Sequence, residues 1–245
     1  MKLSSNDIKN IRSLAMKKRR DESGLYIAEG EKLVQEAIRT GQDIVCIYKR
    51  DEIGEETMSR ISQLTNPSPV LAVIRKPAAE AALPSQDGLY LALDSIRDPG
   101  NLGTIIRIAD WFGIKAVIAS PDTADVFNPK VVQATMGAIF RVKFIYADLP
   151  SFADGVLARG GSVYGTFLDG RNIYKRDLAT GESSQSVIVI GNESNGISAE
   201  MAEKVSDRLY IPPFPGGTDT SESLNAAVAT AVTVAEFRRR IWENR

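Results

Sequence analysis

Three short stretches of this chain hold residue types at spacings from which chemistry could be built. In the first, LALDSIRDPGNLGTIIRIADWFGI over residues 91–114, Asn101, Gly103 and Arg107 stand in an N-x-G-x-x-x-R spacing. Asn101 offers a donor and an acceptor, Gly103 lets backbone approach a ligand closely, and Arg107 offers a planar fork for phosphate. The second, VIVIGNESNGIS over 187–198, is an apolar strand running into Gly191, Glu193 and Gly196. Two glycines in a tight loop at a strand's end suit a ligand held by backbone groups. The third, LYIPPFPGGTDTSESLNAAVATAVTVAEFRRR over 209–240, passes from Ile211 and Pro212 through a Gly- and Thr-rich loop to Ser223, Leu224 and Asn225. Taken singly, each also fits a plainer description: a capped helix start with a solvated arginine, a tight loop, and an alanine-rich helix of high propensity.

Composition removes much of the competing chemistry. The chain has no histidine, which excludes Ser-His-Asp and Cys-His triads, histidine zinc sites and histidine general bases. No metal site is expected. Cys46, the single cysteine, lies between Val45 and Ile47 and reads as a core filler in a strand. There is no G-x-G-x-x-G fingerprint and no Gly-Lys-Ser/Thr, so neither a dinucleotide fold nor a P-loop is indicated. A formal net charge of −1 over 245 residues means that any nucleic-acid contact must come from a local patch. No run is apolar enough to span a bilayer and the N-terminus lacks a signal-peptide core, so a cytoplasmic location is expected.

Alternating apolar and amphipathic segments supply the scaffold. Residues 1–25 carry seven Lys or Arg against three Asp or Glu, and Ile8, Ile11, Leu14 and Ala15 make a helical stripe. This predicts one helix ending in the basic cluster Lys17–Arg20, for which a solvated helix end is favoured over a phosphate-binding patch. Strands follow at 25–28, 43–48 and 70–74, with helices at 31–39 and 55–64. A proline-containing stretch without strand character then marks a linker. The division is therefore 1–78, a linker at 79–87, and 88–245.

In the second part strands are expected at 89–93, 116–119, 141–146, 162–168, 187–190 and 208–211. Helices are expected at 102–112, at 129–136 behind Asn128 and Pro129, at 152–158, after Ser198, and at 224–242. Apolar strands separated by helices imply a mostly parallel sheet with helices on both faces, an α/β fold preceded by a small αβα unit.

In their joint order and spacing the three stretches resemble the SpoU (TrmH-type) branch of the SPOUT superfamily of RNA methyltransferases. NPKVVQATMGAIFRV, over 128–142, is similar to that family's second helix and following strand. YIAEGEKLVQEAI, over 26–38, is similar to the L30-like substrate-binding domain that many members carry. The resemblance implies a C-terminal trefoil knot, a homodimer with its active site near the dimer interface, and S-adenosylmethionine as cofactor. It places Thr166, Gly191, Ile211 and Leu224 at the cofactor. It assigns the catalytic site to Arg107, Asn101, Glu193, Ser223 and Asn225. The reaction implied is methyl transfer to a ribose 2′-hydroxyl of RNA, with ribosomal RNA favoured over transfer RNA. A catalytically silent RNA-binding protein of the same fold is an alternative, and a small-molecule enzyme with a nucleotide cofactor a more distant one. The connection 213–222 is longer than is usual in the family and borders the expected cofactor pocket.

Overall fold

The computed structural model describes residues 3–78, 82–179, 181–215 and 223–243. Residues 216–222 of the long connection, and 79–81 of the expected linker, lie outside them. The chain divides into two compact units, 1–79 together with 125–141, and 80–124 together with 142–245.

In the first unit the predicted basic helix is two helices, α1 (Ser5–Ser13) and α2 (Lys17–Ser23). Ser4 caps α1 in a reciprocal box with Asp7, and Ile8 and Ile11 face the core. The chain breaks at Leu14–Met16 because Arg20 turns inward. Only 1% exposed, Arg20 donates to the carbonyls of Leu14 and Ala15 at 2.8 and 2.7 Å and grips the Asp125 carboxylate at 2.5 Å. The guanidinium thus satisfies two main-chain carbonyls of the connection between α1 and α2. Its neighbours pair along their own helix, Lys17 with Asp21, and Lys18 and Arg19 with Glu22.

An antiparallel three-stranded sheet of β1 (Leu25–Glu29), β2 (Ile44–Lys49) and β3 (Val70–Arg75) follows, in the order β1-β3-β2. Helices α3 (Glu31–Arg39), a single-turn α4 (Arg50–Ile53) and α5 (Glu55–Ile61) connect the strands. Cys46 packs half-buried against the core under α1 and α5.

The second unit begins with β4 (Gly88–Leu93), α6 (Pro99–Trp111) and β5 (Val117–Ala119). Helix α6 starts three residues earlier than periodicity indicates. Asp98 is its N-cap, accepting the Asn101 N–H at 2.7 Å, and Pro99 sits at N1. Asn101 is therefore in the helix's first turn and not in the preceding loop.

After β5 the chain enters the part grouped with the first unit, residues 125–141, which includes helix α7 (Pro129–Thr135). Asn128 caps α7 as expected, and Met136, left-handed at φ 52°, ends it. Phe127 lies 4.7 Å from the Tyr26 ring, Val132 joins the core of Tyr26, Ala28, Val34 and Ala37, and Arg141 pairs with Glu36.

The second unit resumes with β6 (Phe144–Tyr146), α8 (Leu149–Ala158), β7 (Ser162–Asn172), β8 (Gln185–Ile190), α9 (Ala199–Ala202), β9 (Asp207–Tyr210) and α10 (Ala226–Glu243). Helix α8 starts at Leu149, capped by Asp148, and β7 runs four residues beyond its expected end. Ser198 precedes α9, but its side chain makes no capping bond; its N–H goes to the buried Asp94 carboxylate at 2.7 Å.

All six strands run parallel in the order β6-β5-β4-β8-β7-β9. Tyr90, Ala92, Val187 and Val189 point to the face packed by α8 and Met201 of α9. Alternate residues, Leu89, Leu91, Ile188 and Ile190, are equally buried, as a sheet covered on both sides requires. Helices α6 and α10 pack against each other, and Arg238 of α10 donates to the Phe112 and Gly113 carbonyls at 2.8 Å each, closing the end of α6.

Candidate active site

A cavity of about 620 Å³ opens in the second unit where β8 and β9 end. Its walls are the loop 191–197, the β7 segment Thr166–Leu168, the β9 segment Arg208–Tyr210 with Ile211, and the start of α10. All four residues expected at a cofactor, Thr166, Gly191, Ile211 and Leu224, line it. Ser223 and Glu193 line it as well. Among the described residues Ser223 makes no hydrogen bond, whereas Thr166 anchors its hydroxyl on the Val189 carbonyl at 3.3 Å.

The loop wall is built for close approach. A Cβ on Gly191 would lie 2.3 Å from the Gly196 carbonyl carbon and the Ile197 nitrogen, so only glycine fits there. Gly196 serves differently: its φ of +67° needs glycine's conformational freedom, and space around it is open. Asn192 and Gly196 exchange both main-chain hydrogen bonds at 2.9 Å, which closes the loop. Apolar Ile190, Ile197, Leu209 and Leu224 line the cavity together with the glycine loop. This mix and volume suit a nucleoside-sized molecule gripped by backbone.

At the rim the three stretches meet. Asn101 Nδ2 donates to Glu193 Oε1 at 2.5 Å, and Asn101 Oδ1 accepts from Asn225 Nδ2 at 2.9 Å. Asn225 Oδ1 in turn accepts the Ala227 and Val228 N–H groups at 3.0 and 3.3 Å, making Asn225 the cap of α10. One asparagine thereby ties the start of α6 to the glycine loop and to the start of α10, using its donor and acceptor on different partners.

Arg107 stands apart. It is exposed on α6, has no hydrogen bond or ion pair among the described residues, and does not line the cavity. Trp111, one turn further along the same helix face, is 84% exposed.

Several residues of the site carry no signal readable beforehand. Asn192 is one; the run GNESNG suggests a turn but not which side chain staples it. Ser95 is another, since nothing in DSIRD announces its positive φ of 61°. The Arg208 guanidinium, 3.5 Å above the Phe167 ring and bonded to Asp169 at 2.6 Å, forms a further wall that sequence spacing does not predict.

Residues 88–235 match the model of the SpoU rRNA Methylase family. The chain belongs to this family. Residues 5–80 match the MRM3-like substrate binding domain, so the first unit has its own counterpart among known proteins. The SpoU chain is 32% identical to the Bacillus subtilis 23S rRNA (guanosine(2553)-2′-O)-methyltransferase RlmP, over 94% of this chain and 95% of that protein. It is 26% identical to human mitochondrial rRNA methyltransferase 3, over 91% and 69%. The AdoMet-bound rRNA methyltransferase of Sinorhizobium meliloti superposes with a TM-score of 0.86 at 32% identity, covering 98% of each chain. The expectation of a SpoU fold with a separate substrate-binding unit is borne out. Among the described residues no helix is long and apolar enough to cross a membrane, and no group of three or more His, Cys, Asp or Glu is placed to hold a metal ion.

Proposed function

We propose that this SpoU protein transfers a methyl group from S-adenosylmethionine to a ribose 2′-hydroxyl of ribosomal RNA, working as a homodimer. The observation that carries the reading is Asn101 bridging Glu193 and Asn225 at the mouth of a glycine-walled cavity of nucleoside size. Relatives named as rRNA 2′-O-methyltransferases support the substrate, and a relative solved with AdoMet supports the cofactor. Residues 1–78 with 125–141 serve as the RNA-gripping part, 79–87 as the connection, and the remainder of 88–245 as the catalytic part. The family's knot belongs to the C-terminal part of the chain.

S-adenosylmethionine brings a methyl group already activated on a sulfonium, so the protein's task is alignment and removal of the hydroxyl proton. Thr166, Gly191, Ile211 and Leu224 hold the cofactor, largely through backbone groups. Asn101, Glu193 and Asn225 fix the three segments at its rim, and Ser223 completes the mouth. Arg107 remains protonated throughout. Its guanidinium orients the phosphate next to the target ribose and stabilises the alkoxide that develops as the hydroxyl proton passes to solvent water. Because Arg107 is exposed, and among the described residues is unpaired and off the wall of its own chain's cavity, it acts on the cavity of a second copy. Exposed Trp111 on the same helix face gives that contact an apolar anchor.

The test is transfer of label from methyl-tritiated S-adenosylmethionine to ribosomal RNA, followed by nuclease digestion and nucleoside analysis. Label in a 2′-O-methylnucleoside of ribosomal RNA is expected. Label on a base refutes the chemistry, label in transfer RNA alone refutes the substrate, and cofactor and RNA binding without transfer identifies a silent binder.

A further inference from the structure

We propose that Asn192, held through the Ser95 main chain by Asp122, is the positioning residue that aims Glu193 at Asn101, and that methyl transfer depends on this link. The inference takes the reaction above as given. It concerns residues that take no part in the chemistry and that the rim network does not include.

Glu193 is exposed, and the main chain of Asn192 sets where its carboxylate starts from. Asn192 uses every polar group it has. Its Oδ1 accepts the N–H groups of Ser194 and Asn195 at 2.9 and 3.1 Å, and its main chain pairs with Gly196. Its Nδ2 donates to the Ser95 carbonyl at 2.8 Å. The first contacts shape the loop, and an aspartate could make them equally well, because a carboxylate accepts from both N–H groups. The last requires the amide. It joins the loop after β8 to the loop after β4, the loop that leads into Asn101.

Ser95 is itself pinned from a third loop. Its φ of +61° is uncommon for a residue with a Cβ, and such strain persists only where neighbours over-determine it. Its N–H donates to Ser120 Oγ at 2.8 Å, and its hydroxyl donates to Asp122 Oδ2 at 2.6 Å. Asp122 Oδ1 also takes the Ser120 hydroxyl at 2.7 Å. Strands β5, β4 and β8 are adjacent in the sheet, so one chain of hydrogen bonds laces the three loops that follow them. The left-handed turn at Ser95 aims its carbonyl at Asn192, and Asp122 holds the turn.

The experiment measures kcat, KM for RNA, cofactor affinity and thermal midpoint for Asn192→Asp, Ser95→Ala and the double variant of the full chain. Asn192→Asp keeps the loop's N–H acceptors, removes the Nδ2 bond and sets a carboxylate oxygen against the Ser95 carbonyl. Its kcat is expected to fall about tenfold or more, from the lost bond and the new repulsion, while the midpoint falls by only about 2–4 °C. Ser95→Ala is expected to lower kcat in the same sense. The double variant should lose no more than Asn192→Asp alone, because Ser95 acts through Asn192. Wild-type kcat in Asn192→Asp overturns the proposal, and so do multiplicative losses in the double variant, which a general weakening of the fold would produce. If Asn192→Asp does not fold, Ser95→Ala carries the test, since it leaves every Asn192 contact available. A wild-type protein that methylates no RNA would refute the reaction instead, and is distinguished by that control.

Discussion

Replacing Gly191 with alanine tests the cavity and the loop geometry together. The added Cβ would sit 2.3 Å from two main-chain atoms, Gly196 C and Ile197 N, and 2.5 Å from Gly196 O. Real Cβ atoms essentially never come within 3.0 Å of such atoms, so main chain must separate by about 0.7 Å, the difference between 3.0 and 2.3 Å. No side chain can relieve it. Overpacking of this kind costs about 1–3 kcal/mol. At roughly 2–4 °C per kcal/mol for a protein of this size, the thermal midpoint should drop by about 2–12 °C. The same displacement moves the wall that receives the cofactor and strains the paired Asn192 and Gly196 main chains. S-adenosylmethionine affinity, read by isothermal titration, should weaken about tenfold or more, equivalent to about 1.4 kcal/mol. Gly196→Ala is the matched control. It meets no atom within 4 Å and carries only the left-handed strain of its +67° φ, so its effect on affinity should be the smaller. Wild-type cofactor affinity in Gly191→Ala would show that the cavity is not the cofactor site.

Other expectations follow from the charged groups. Arg107→Ala should leave cofactor affinity near wild type and lower kcat by about two to three orders of magnitude, as loss of a charge-stabilising donor does. Mixing it with Gly191→Ala should restore part of the activity if Arg107 serves the partner's cavity, and no restoration would place both in one chain's site. Arg20→Ala should cost about 3–5 kcal/mol in denaturant unfolding, because it strands the Asp125 carboxylate and two carbonyls in a buried place. Reversing Lys17 and Lys18 should lower stability slightly, since it puts like charges opposite Asp21 and Glu22, but should leave the salt slope of RNA binding unchanged; a shallower slope would mean that they touch phosphate. The Asp21 carboxyl is held down to about 2 by hydrogen bonds from Lys17 and Lys76, and that of Asp122 to about 2 by those from Ser95 and Ser120. Both folded-state values lie below the ordinary 3.8, so their stabilisation is complete above about pH 4 and is lost as the pH falls towards 2. Urea midpoints across that window should decline, and Asp122→Asn should flatten part of the decline.

Much of the site was legible because main-chain constraints leave marks in sequence. Gly191 and Gly196 were visible as glycines after an apolar strand, and Asn225 as a polar residue before an alanine-rich helix. Helix α3 matches its predicted span residue for residue, since Leu33, Val34 and Ala37 repeat at helical spacing and Gly41 follows. The failures share a cause. The start of α6 was misplaced because Asp98 and Pro99 fix it through one cap bond, which apolar periodicity does not register. The single helix expected over the basic N-terminus is two, because a half-buried partner 105 residues away draws Arg20 inward. Local pattern cannot announce a long-range ion pair, nor the hydrogen bonds that hold Ser95 left-handed.

The grouping of residues 125–141 with 1–79 has a consequence for how the protein is made. A ribosome releases the chain from its N-terminus, and the first unit lacks its Asp125 carboxylate, its Phe127 ring and helix α7 until residue 141 has emerged. By then β4, α6 and β5 of the second unit have already left the exit tunnel. Order of synthesis and order of completion are therefore interleaved. A cut within 79–87 would not yield two finished folds; it would release an N-terminal fragment with Arg20 facing an empty place.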